Sequence, residues 1–582
     1  MLKTLGKQIK EYKAASIATP LFMLVEVLME TLIPLMMASI IDDGIYQNDM
    51  HHIVVTGLWM IGAALVSLLA GLGGAFFGAK ASMGLGKNLR KAMFENIQRF
   101  SFANIDKFST AGLVTRLTTD VTNIQNAYQM ILRMCMRAPA SLICAMAMAF
   151  FISPRIASIY LIAIILLGIV LAIIVVNAMH YFQEAFRKYD DLNESVQENI
   201  SAIRVVKAYV REDYEKERFR KASTNIKNML TRAEKIVMWN NPAMMLTMYS
   251  CILIISWVGA KMIVGSILST GDLMALLTYC MNILMNLMFL SMVFVMISMS
   301  AASAQRIADV INEESSLRNP KNPVYEVANG SIRFQDVSFS YSASSETPVL
   351  DHINLDIKSG ETIGIIGGTG SSKSSLVNLI SRLYDVTDGS VQVGGLDVRD
   401  YDMKSLRDQV SVVLQNNVLF SGSILDNLRW GNPDATEEEC IEACKQACAD
   451  EFVSKMPDGY HTHIEQGGTN VSGGQKQRLC IARALLKKPK VLILDDSTSA
   501  VDTATDAKIR QSFREAIPGT TKLIIAQRIS SVMDADHIIV LNDGKLDGFG
   551  THEELLATND IYRDVYESQT NGGGDFDEGG AQ

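Results

Sequence analysis

The sequence predicts two parts: an α-helical membrane domain with six spans, followed by an α/β domain of the P-loop nucleotide-binding type. Three observations predict this architecture. The chain has 582 residues, more than a single domain usually holds. It combines 48% hydrophobic with 20% charged residues, as expected when a membrane segment is joined to a soluble one. A glycine-rich phosphate-loop motif lies in the second half of the chain.

Methionine usage marks the division between the two parts. Of the 31 methionines, all except Met403, Met456 and Met533 lie at or before Met299. The net charge of −9 gives no reason to expect nucleic acid binding.

The cysteines indicate a reduced soluble part. The chain has 8 cysteines and no CxxC pair. Cys440, Cys444 and Cys448 recur every four residues and therefore share one helical face. Packing of small buried side chains explains this spacing, and a metal or redox site is the alternative. Reduced thiols are typical of a cytoplasmic domain.

Six stretches are long and apolar enough to span a bilayer, which requires about 20 mostly apolar residues. They cover residues 14–41, 53–79, 131–152, 156–179, 236–260 and 273–304. The basic start, MLKTLGKQIKEYK, lacks the pattern of a signal peptide and is interpreted as a helix on the cytoplasmic surface. Arg133 and Arg137 are expected to lie at the cytoplasmic end of the third span and to snorkel toward water.

Loop charges predict the orientation of the spans. The 42–52 loop has aspartates and neither Lys nor Arg, whereas the 80–130 and 180–235 segments are rich in basic residues. Positive residues favour the cytoplasmic side, so both long segments and both termini are expected there. Because these segments show helical periodicity, the second to fifth spans are expected to continue into the cytoplasm as long helices. Each pair would turn at a short element, near 102–110 and 210–219.

Two features of the spans bear on a ligand within the membrane. Glu26 and Glu30 lie four residues apart and share a helix face. Since intramembrane acids usually face an interior cavity, they are predicted to attract a cationic ligand, to pair with a neighbouring helix or to lie near a wet edge. The last span carries a stripe of methionines, Met281, Met285, Met288, Met292, Met296 and Met299. Flexible thioethers suit a surface that accepts many shapes, although ordinary helix packing explains the stripe equally well.

The phosphate loop follows a polar linker at residues 311–330. The motif G-x-x-x-x-G-K-[ST] runs from Gly367 to Ser374, between a predicted strand and a predicted helix. Backbone N–H groups of such a loop cradle phosphates, the lysine reaches the outer phosphates and the serine ligates magnesium. The glycine expected before Lys373 is Ser372, which would be strained if the backbone there has positive φ.

The segment NVSGGQKQR, residues 470–478, carries a family resemblance. Together with the phosphate loop and the six spans, it makes the chain similar to a half-transporter of the ATP-binding cassette (ABC) exporter family. The resemblance extends over residues 1 to about 570 and is strongest to the subunit of bacterial heterodimeric multidrug exporters that carries a degenerate ATP site. It implies a type I exporter (type IV ABC) fold with a transmembrane domain at 1–310, coupling helices at the two turns and a nucleotide-binding domain at 331–570. The tail 571–582 is acidic and glycine-rich and is expected to be disordered.

The resemblance also implies site residues and cofactors, namely ATP and Mg²⁺. The residues matched to ATP binding are Tyr341, Gly367, Thr369, Gly370, Ser371, Ser372, Lys373, Ser374, Ser375, Gln415 and Asp495. Those matched to magnesium are Ser374, Gln415 and Asp495. The signature that completes a partner's ATP site is matched by Ser472, Gly473, Gly474 and Gln475, and the D-loop, at the end of STSAVD, by Asp502.

Three positions depart from the family pattern: Ser372, Asp496 and Gln527. Asp496 stands where a catalytic glutamate is usual, and Gln527 stands where a histidine is usual. A shorter carboxylate sits farther from the attacking water, and a misplacement of about 1 Å can cost 10²-fold in rate. A glutamine side chain forms hydrogen bonds but does not take up a proton as histidine does. The site is therefore expected to bind MgATP and to hydrolyse it slowly.

An intact signature beside a poor catalytic carboxylate implies an unlike partner. The expected assembly is a heterodimeric exporter in the plasma membrane, with a second half-transporter that carries the catalytic glutamate. Amphipathic drugs or xenobiotics are the expected cargo, with lipids and peptides left open, and membrane lipids are expected neighbours. The alternatives are a homodimeric exporter with weak ATPase activity, or a nucleotide-gated regulator that does not pump.

Overall fold

The computed structural model describes residues 1–342, 347–496 and 500–571 of the chain. Residues 497–499 of the STSAVD segment, the tail from residue 572, and the side chains of Met292 and Met299 lie outside the described residues. The chain forms two compact units. One contains Met1–Arg99 and Phe108–Glu313, and the other contains Phe100–Lys107 and the residues from Glu314 onward.

The first unit is helical. The helices that precede the first strand are α1 Leu2–Lys7, α2 Lys13–Ser39, α3 Met50–Ile97, α4 Phe102–Phe108, α5 Thr110–Thr115, α6 Val121–Ile152, α7 Pro154–Ser201, α8 Ile203–Ala208, α9 Glu212–Val237, α10 Asn240–Val264 and α11 Thr270–Asn312. The segments Ile40–Ile45 and Arg116–Asp120 continue α2 and α5 as π-helical turns.

Six helical stretches in the described part of the chain are long and apolar enough to cross a membrane. They are Lys10–Ile45, Met50–Ile97, Thr110–Ile152, Pro154–Phe182, Glu212–Val264 and Thr270–Leu290. Each contains or overlaps one of the six predicted spans. Together with the α/β unit described below, they confirm the predicted fold class, a six-span membrane domain fused to a P-loop domain.

The short element expected near 210–219 lies earlier in the chain. Helix α7 ends at Ser201, the six-residue helix α8 covers Ile203–Ala208, and residues 212–219 form the first turns of the long helix α9. The physical reason is the charge pattern: Glu212, Asp213 and Glu215 occupy the first turn of α9, where acidic side chains stabilise the positive end of the helix dipole. The acidic residues therefore start a helix rather than form the turn.

Close contact between α2 and α3 is made possible by small residues. A Cβ built on Gly74 would lie 2.2 Å from Cε of Met23, so a larger residue there would require the Met23 side chain to move. Gly74 and Gly78 of the segment GAFFG, residues 74–78, have the GxxxG spacing that permits close helix contact. A second cluster of buried side chains, including Tyr160, Ile255 and Tyr279, joins α6, α7, α10 and α11.

The second unit contains two main sheets. Their strands are β1 Ile332–Phe339, β2 Leu350–Ile357, β3 Thr362–Gly367, β4 Asp388–Val393, β5 Leu396–Asp397, β6 Val410–Val413, β9 Val491–Asp495, β10 Thr521–Ile525, β11 His537–Asn542 and β12 Lys545–Gly550, with the short pair β7 Gly422–Ser423 and β8 His463–Ile464 beside them. The first sheet is antiparallel, in the order β2-β1-β4-β5. The second has the order β12-β11-β3-β10-β9-β6, and all its neighbours except β11 and β12 are parallel.

The helices of this unit cover the parallel sheet. They are α12 Lys373–Ile380, α13 Met403–Gln409, α14 Ile424–Leu428, α15 Glu437–Gln446, α16 Asp450–Val453, α17 Gly473–Leu485, α18 Thr503–Ala516, α19 His552–Thr558 and α20 Asp560–Asn571. Strands β9 and β10 are buried along their whole length, as expected for central strands covered on both faces.

The recurring cysteines of α15 pack in the core. Cys440 and Cys444 are fully buried in the hydrophobic cluster that α15 shares with α17 and the sheet. Among the described residues, no group of three or more His, Cys, Asp or Glu side chains is placed to hold a metal ion. Helix packing thus explains Cys440 and Cys444, whereas Cys448 lies beyond the end of α15 at Gln446 and packs, partly buried, against the same cluster.

Candidate functional site

The carboxyl ends of four parallel strands meet at one edge of the central sheet. The phosphate loop follows β3, Gln415 follows β6, Asp495 ends β9 and Gln527 follows β10. The register places Asp495 beside Ile525, which in turn pairs with Ile365. Ligands of open α/β sheets bind at this kind of edge, because loops from several strands converge there.

The phosphate loop contains a residue in the left-handed conformation. Ser372, the residue before Lys373, has φ 71° and ψ 24°. This is a region that glycine enters freely and that a residue with a Cβ occupies at a cost of about 1 kcal/mol. The strain anticipated at Ser372 is therefore present, but its N–H remains available to a phosphate.

Lys373 is held against its own loop. Its Nζ donates to the carbonyl oxygens of Gly367 and Gly368, both at 2.8 Å, and contacts Oγ of Ser371 at 3.2 Å. Burial lowers the pKa of Lys373, and the negative charges of Asp496 and Asp495 act in the opposite direction. The ammonium group is thus positioned over the loop whose N–H groups would surround a phosphate.

Ser374 and Asp495 form the part of the site best suited to magnesium. The Oγ of Ser374 donates to Oδ1 of Asp495 across 3.0 Å. Burial raises the pKa of the Asp495 carboxyl, the hydrogen bond from Ser374 opposes this, and the charge of Asp496 adds to it. A hydroxyl and a carboxylate this close offer the hard oxygen ligands that Mg²⁺ prefers. The residues therefore fit a magnesium ion that accompanies a nucleotide.

Asp496 is buried and lies between two glutamine side chains. Its Oδ2 accepts a hydrogen bond from Nε2 of Gln527 at 2.8 Å and a longer one from Nε2 of Gln415 at 3.4 Å. Its backbone is also in the left-handed region, at φ 50°. Of the predicted site residues, these three converge on one carboxylate oxygen.

Tyr341 lies beside the phosphate-loop helix. Its hydroxyl is 2.8 Å from Oγ of Ser375 in α12, and its ring makes edge contacts with Phe339 and Tyr384. The ring is half exposed, which leaves one face available for stacking on a base. Tyr341 and Ser375 are therefore brought together as one part of the site.

Tyr384 was not identified from the sequence. Its ring contacts Tyr341, and its hydroxyl donates to Oδ2 of Asp106 in α4 at 2.8 Å. Phe102 of the same helix packs against the Tyr384 ring. Residues 100–107 belong to the second unit, so these contacts join α4 to the tyrosine beside the phosphate loop. Its only signal in the sequence is an aromatic residue shortly after the phosphate-loop helix, which by itself does not predict a long-range contact.

The residues matched to the signature begin helix α17. Ser472 caps this helix: its Oγ accepts from the N–H of Gln475, and the Gln475 side chain accepts from the N–H of Ser472. Gly474 approaches the backbone of Ala500 so closely that an added Cβ would lie 2.8 Å from its carbonyl oxygen. Asp502 caps α18 in a similar way, by accepting from the N–H of Thr505. The helix N-terminus at Ser472 and Gly473 is exposed, which suits contact with an anion from outside.

In the membrane unit, the acids of the first span pair with the third. Nη2 of Arg137 contacts both carboxylate oxygens of Glu30, at 2.8 and 3.0 Å, and Oε1 of Glu26 at 3.4 Å. The expectation that Arg137 snorkels at the cytoplasmic end is therefore wrong, because two carboxylates hold it against the middle of α2. The aliphatic part of Arg133 packs near Gly78. Among the alternatives for the acids, pairing with a neighbouring helix is observed.

The methionines of the stripe on α11 lie in different surroundings. Met281 and Met285 are exposed, while Met288 and Met296 line a cavity of about 390 Å³ with residues of α7 and α10. Met288 also packs against the buried cluster of α6, α7, α10 and α11, so the stripe contributes both to helix packing and to the wall of a cavity.

Comparison with known proteins identifies both units. Residues 17–304 match the ABC transporter transmembrane region, and residues 350–499 match the ABC transporter family. An uncharacterized ABC transporter ATP-binding protein of Bacillus subtilis, YfiB, is 36% identical over 96% of this chain and 97% of its own length. The chain belongs to the ABC transporter family.

Other relatives support the same assignment. An uncharacterized ABC transporter ATP-binding protein of Mycobacterium tuberculosis is 35% identical over 98% of both chains. The ATP-dependent lipid A-core flippase of Desulfotalea psychrophila is 32% identical over 79% of this chain and 80% of its own length. This ABC transporter thus has the exporter arrangement, in which a multi-pass membrane domain and an ATP-binding domain are fused in one chain.

Proposed function

We propose that this ABC transporter is the degenerate-site subunit of a heterodimeric exporter. It binds MgATP at its own phosphate loop, hydrolyses it slowly and completes the catalytic site of a non-identical partner with its signature. The observation that carries the proposal is the environment of Asp496, whose Oδ2 accepts hydrogen bonds from Gln415 and Gln527.

This environment disfavours hydrolysis for two reasons. The Asp496 carboxylate is one methylene shorter than a glutamate, and a displacement of about 1 Å from the attacking water is worth about 10²-fold in rate. Gln415 and Gln527 donate amide N–H groups to it, and an amide does not accept a proton at neutral pH. The water is therefore left without a well-placed base within about 3 Å.

The groups that bind the nucleotide are in place. Lys373 lies over the phosphate loop, Ser374 and Asp495 supply oxygen ligands for magnesium, and Tyr341 presents a half-exposed ring. Removing a base slows the chemical step and leaves these binding interactions unaffected. The expected result is a nucleotide that stays bound through several turnovers of the partner site.

The signature residues support the second role. Ser472 and Gln475 complete a capping box, so the N-terminus of α17 is rigid, exposed and electropositive. Such a helix end suits the γ-phosphate of a nucleotide held by another chain. The partner would carry the glutamate that Asp496 replaces.

The cargo proposed here is an amphipathic compound that leaves the cell across the plasma membrane, with both termini of the chain in the cytoplasm. The cavity lined by Met288 and Met296 suits bulky apolar molecules, because thioether side chains adapt to many shapes. The relative named as a lipid A-core flippase supports lipids as part of the same cargo class.

Trapping of a photoreactive nucleotide tests the proposal. The complex purified from its native membrane is incubated with 8-azido-ATP labelled on either the α- or the γ-phosphate and is then irradiated. Equal retention of both labels on this chain, together with a second ABC chain in 1:1 amount, is expected. The Lys373→Ala variant serves as the control that abolishes labelling. Loss of the γ-label from this chain, or purification of a homodimer with rapid ATPase activity, would overturn the proposal.

A further inference from the structure

A polar cavity lies among helices α2, α6 and α11 of the membrane unit. Its volume is about 460 Å³, within the range of small-molecule sites. Its polar lining includes the charged pair Glu30 and Arg137 and the neutral side chains of Thr31, Ser141, Thr278, Tyr279, Asn282 and Asn286. Polar groups within membrane spans are costly and usually mark a ligand or ion pathway. The presence of several on three helices around one cavity therefore indicates a binding site.

Only one nitrogen of the Arg137 guanidinium takes part in the ion pair that lines this cavity. All described contacts of the Arg137 guanidinium with Glu30 and Glu26 are made through Nη2. Within the described part of the chain, its Nε and Nη1 have no hydrogen-bond partner. The side chains of Arg137 and Glu30 are 33% and 41% exposed, whereas Glu26 is only 12% exposed. Arg137 and Glu30 thus face the cavity, and Glu26 lies behind them.

Two asparagines supply further hydrogen-bonding groups. Nδ2 of Asn286 donates to Oγ of Ser141 at 3.0 Å and to the carbonyl oxygen of Asn282 at 2.7 Å. Its Oδ1, and the side-chain amide of Asn282, form no hydrogen bond with other described residues. An amide that faces open space inside a membrane gains a partner when a polar ligand enters.

The remaining wall of the cavity is apolar. Met134, Met285, Phe289 and Pro34 line it beside the polar groups. Met285 and Phe289 are both exposed. Along α11, Met285 lies about one helical turn after Asn282, and Phe289 lies about one turn after Asn286. A ligand that satisfies both parts of the wall has a polar head and an apolar tail.

The charges of the pair decide which head group fits best. A cation attracted by Glu30 would be repelled by Arg137, and an anion bound to the free nitrogens of Arg137 would be repelled by Glu30. A zwitterion avoids both conflicts, because its anionic oxygens accept from the unused Nε and Nη1 while its ammonium group lies against the carboxylates. We propose that this cavity binds the zwitterionic head group of an amphiphile. The inference rests on the proposed exporter function and names the substrate class.

Binding of three amphiphiles with the same tail tests the inference. The probes are dodecylphosphocholine, dodecyltrimethylammonium and dodecyl phosphate, each added below its micellar concentration to the purified complex in nanodiscs. Affinity is measured by native mass spectrometry after release from the nanodiscs. The zwitterionic probe is expected to bind at least 10-fold more tightly than either charged one. Tightest binding of the cation or the anion would overturn the inference.

Variants connect that preference with the cavity. In the double variant Glu30→Gln/Arg137→Gln, the preference for the zwitterion is expected to disappear. The matched control Lys91→Gln/Glu95→Gln removes an exposed ion pair of α3 and is expected to leave it unchanged. If the first double variant does not fold, Asn282→Leu/Asn286→Leu is used, which keeps the ion pair and is expected to weaken zwitterion binding about 10-fold. Unchanged binding in the variant that folds would refute the assignment to this cavity.

Two further arms separate the possible outcomes. Phosphocholine without a tail is expected to bind at least 100-fold more weakly, and equal binding would mean that a free polar solute is recognised instead of an amphiphile. The affinity measurement does not depend on ATP hydrolysis. If the zwitterion preference is absent while the γ-label is still retained, only the substrate class is rejected. If the γ-label is lost while zwitterion binding is intact, only the degenerate site is rejected.

Discussion

Nε2 of Gln527 donates a hydrogen bond to Oδ2 of Asp496 across 2.8 Å, and Nε2 of Gln415 reaches the same oxygen at 3.4 Å. Two amides from the ends of different strands therefore share one carboxylate oxygen at the sheet edge. Because a carboxylate only accepts hydrogen bonds and the amide NH₂ only donates them, the orientation of both glutamine side chains is determined by Asp496.

Extending this carboxylate should restore hydrolysis at the site. In Asp496→Glu, the added methylene brings the carboxylate closer to the attacking water, and γ-label loss is expected to become at least 10-fold faster. Adding Gln527→His supplies a group that can take up a proton and should raise the rate further. In the control, the same substitutions are combined with Lys373→Ala, which abolishes nucleotide labelling, and no γ-label loss is expected at this site. A rate that does not change in the double variant would contradict the role assigned to Asp496.

Replacement of Ser372 by glycine should stabilise the protein. Ser372 has φ 71°, where a Cβ is strained, so Ser372→Gly is expected to raise the free energy of unfolding by about 0.5–1 kcal/mol. The control is Ser512→Gly in the middle of α18, which should lower it by a similar amount because glycine disfavours a helix. Thermal unfolding of the full chain measures both. Changes of the same sign in the two variants would argue against strain at Ser372.

Removal of the Tyr384 hydroxyl should weaken the contact with α4. Tyr384→Phe deletes the hydrogen bond to Asp106 and keeps the ring against Tyr341, at an expected cost of about 1–2 kcal/mol because the acceptor is charged. Photolabelling by 8-azido-ATP should be unchanged, while stimulation of ATPase activity by an amphiphile should fall several-fold. The control Tyr325→Phe alters an exposed tyrosine of the same unit. Equal stimulation in both variants would show that the Asp106 contact carries no coupling.

Cys444 should be inert toward alkylation in the folded protein. Burial raises its pKa to about 12. At pH 8 the thiolate fraction is therefore about 10⁻⁴, and the reactive species is scarce as well as inaccessible. The matched control is Lys445→Cys, at the exposed neighbouring position of α15. Mass spectrometry after treatment with N-ethylmaleimide should find the introduced cysteine modified within minutes and Cys444 modified only after unfolding. Comparable rates at the two positions would contradict its placement in the core.

The sequence by itself determined the succession of elements. Apolar length alone revealed the six spans, since a bilayer requires it of any helix that crosses. The order of strand, glycine-rich loop and helix around Lys373 likewise follows from local chemistry. Such patterns are readable because the interactions that enforce them lie within a few residues of one another.

Only the tertiary structure decided which distant groups meet. No pattern along the chain places Arg137 against Glu30, joins Tyr384 to Asp106, or brings Gln415 and Gln527 to the same oxygen of Asp496. These contacts depend on the packing of whole helices and on the order of strands in the sheet. Their partners lie between 31 and 278 residues apart, so the physical determinant is the fold and not the local sequence.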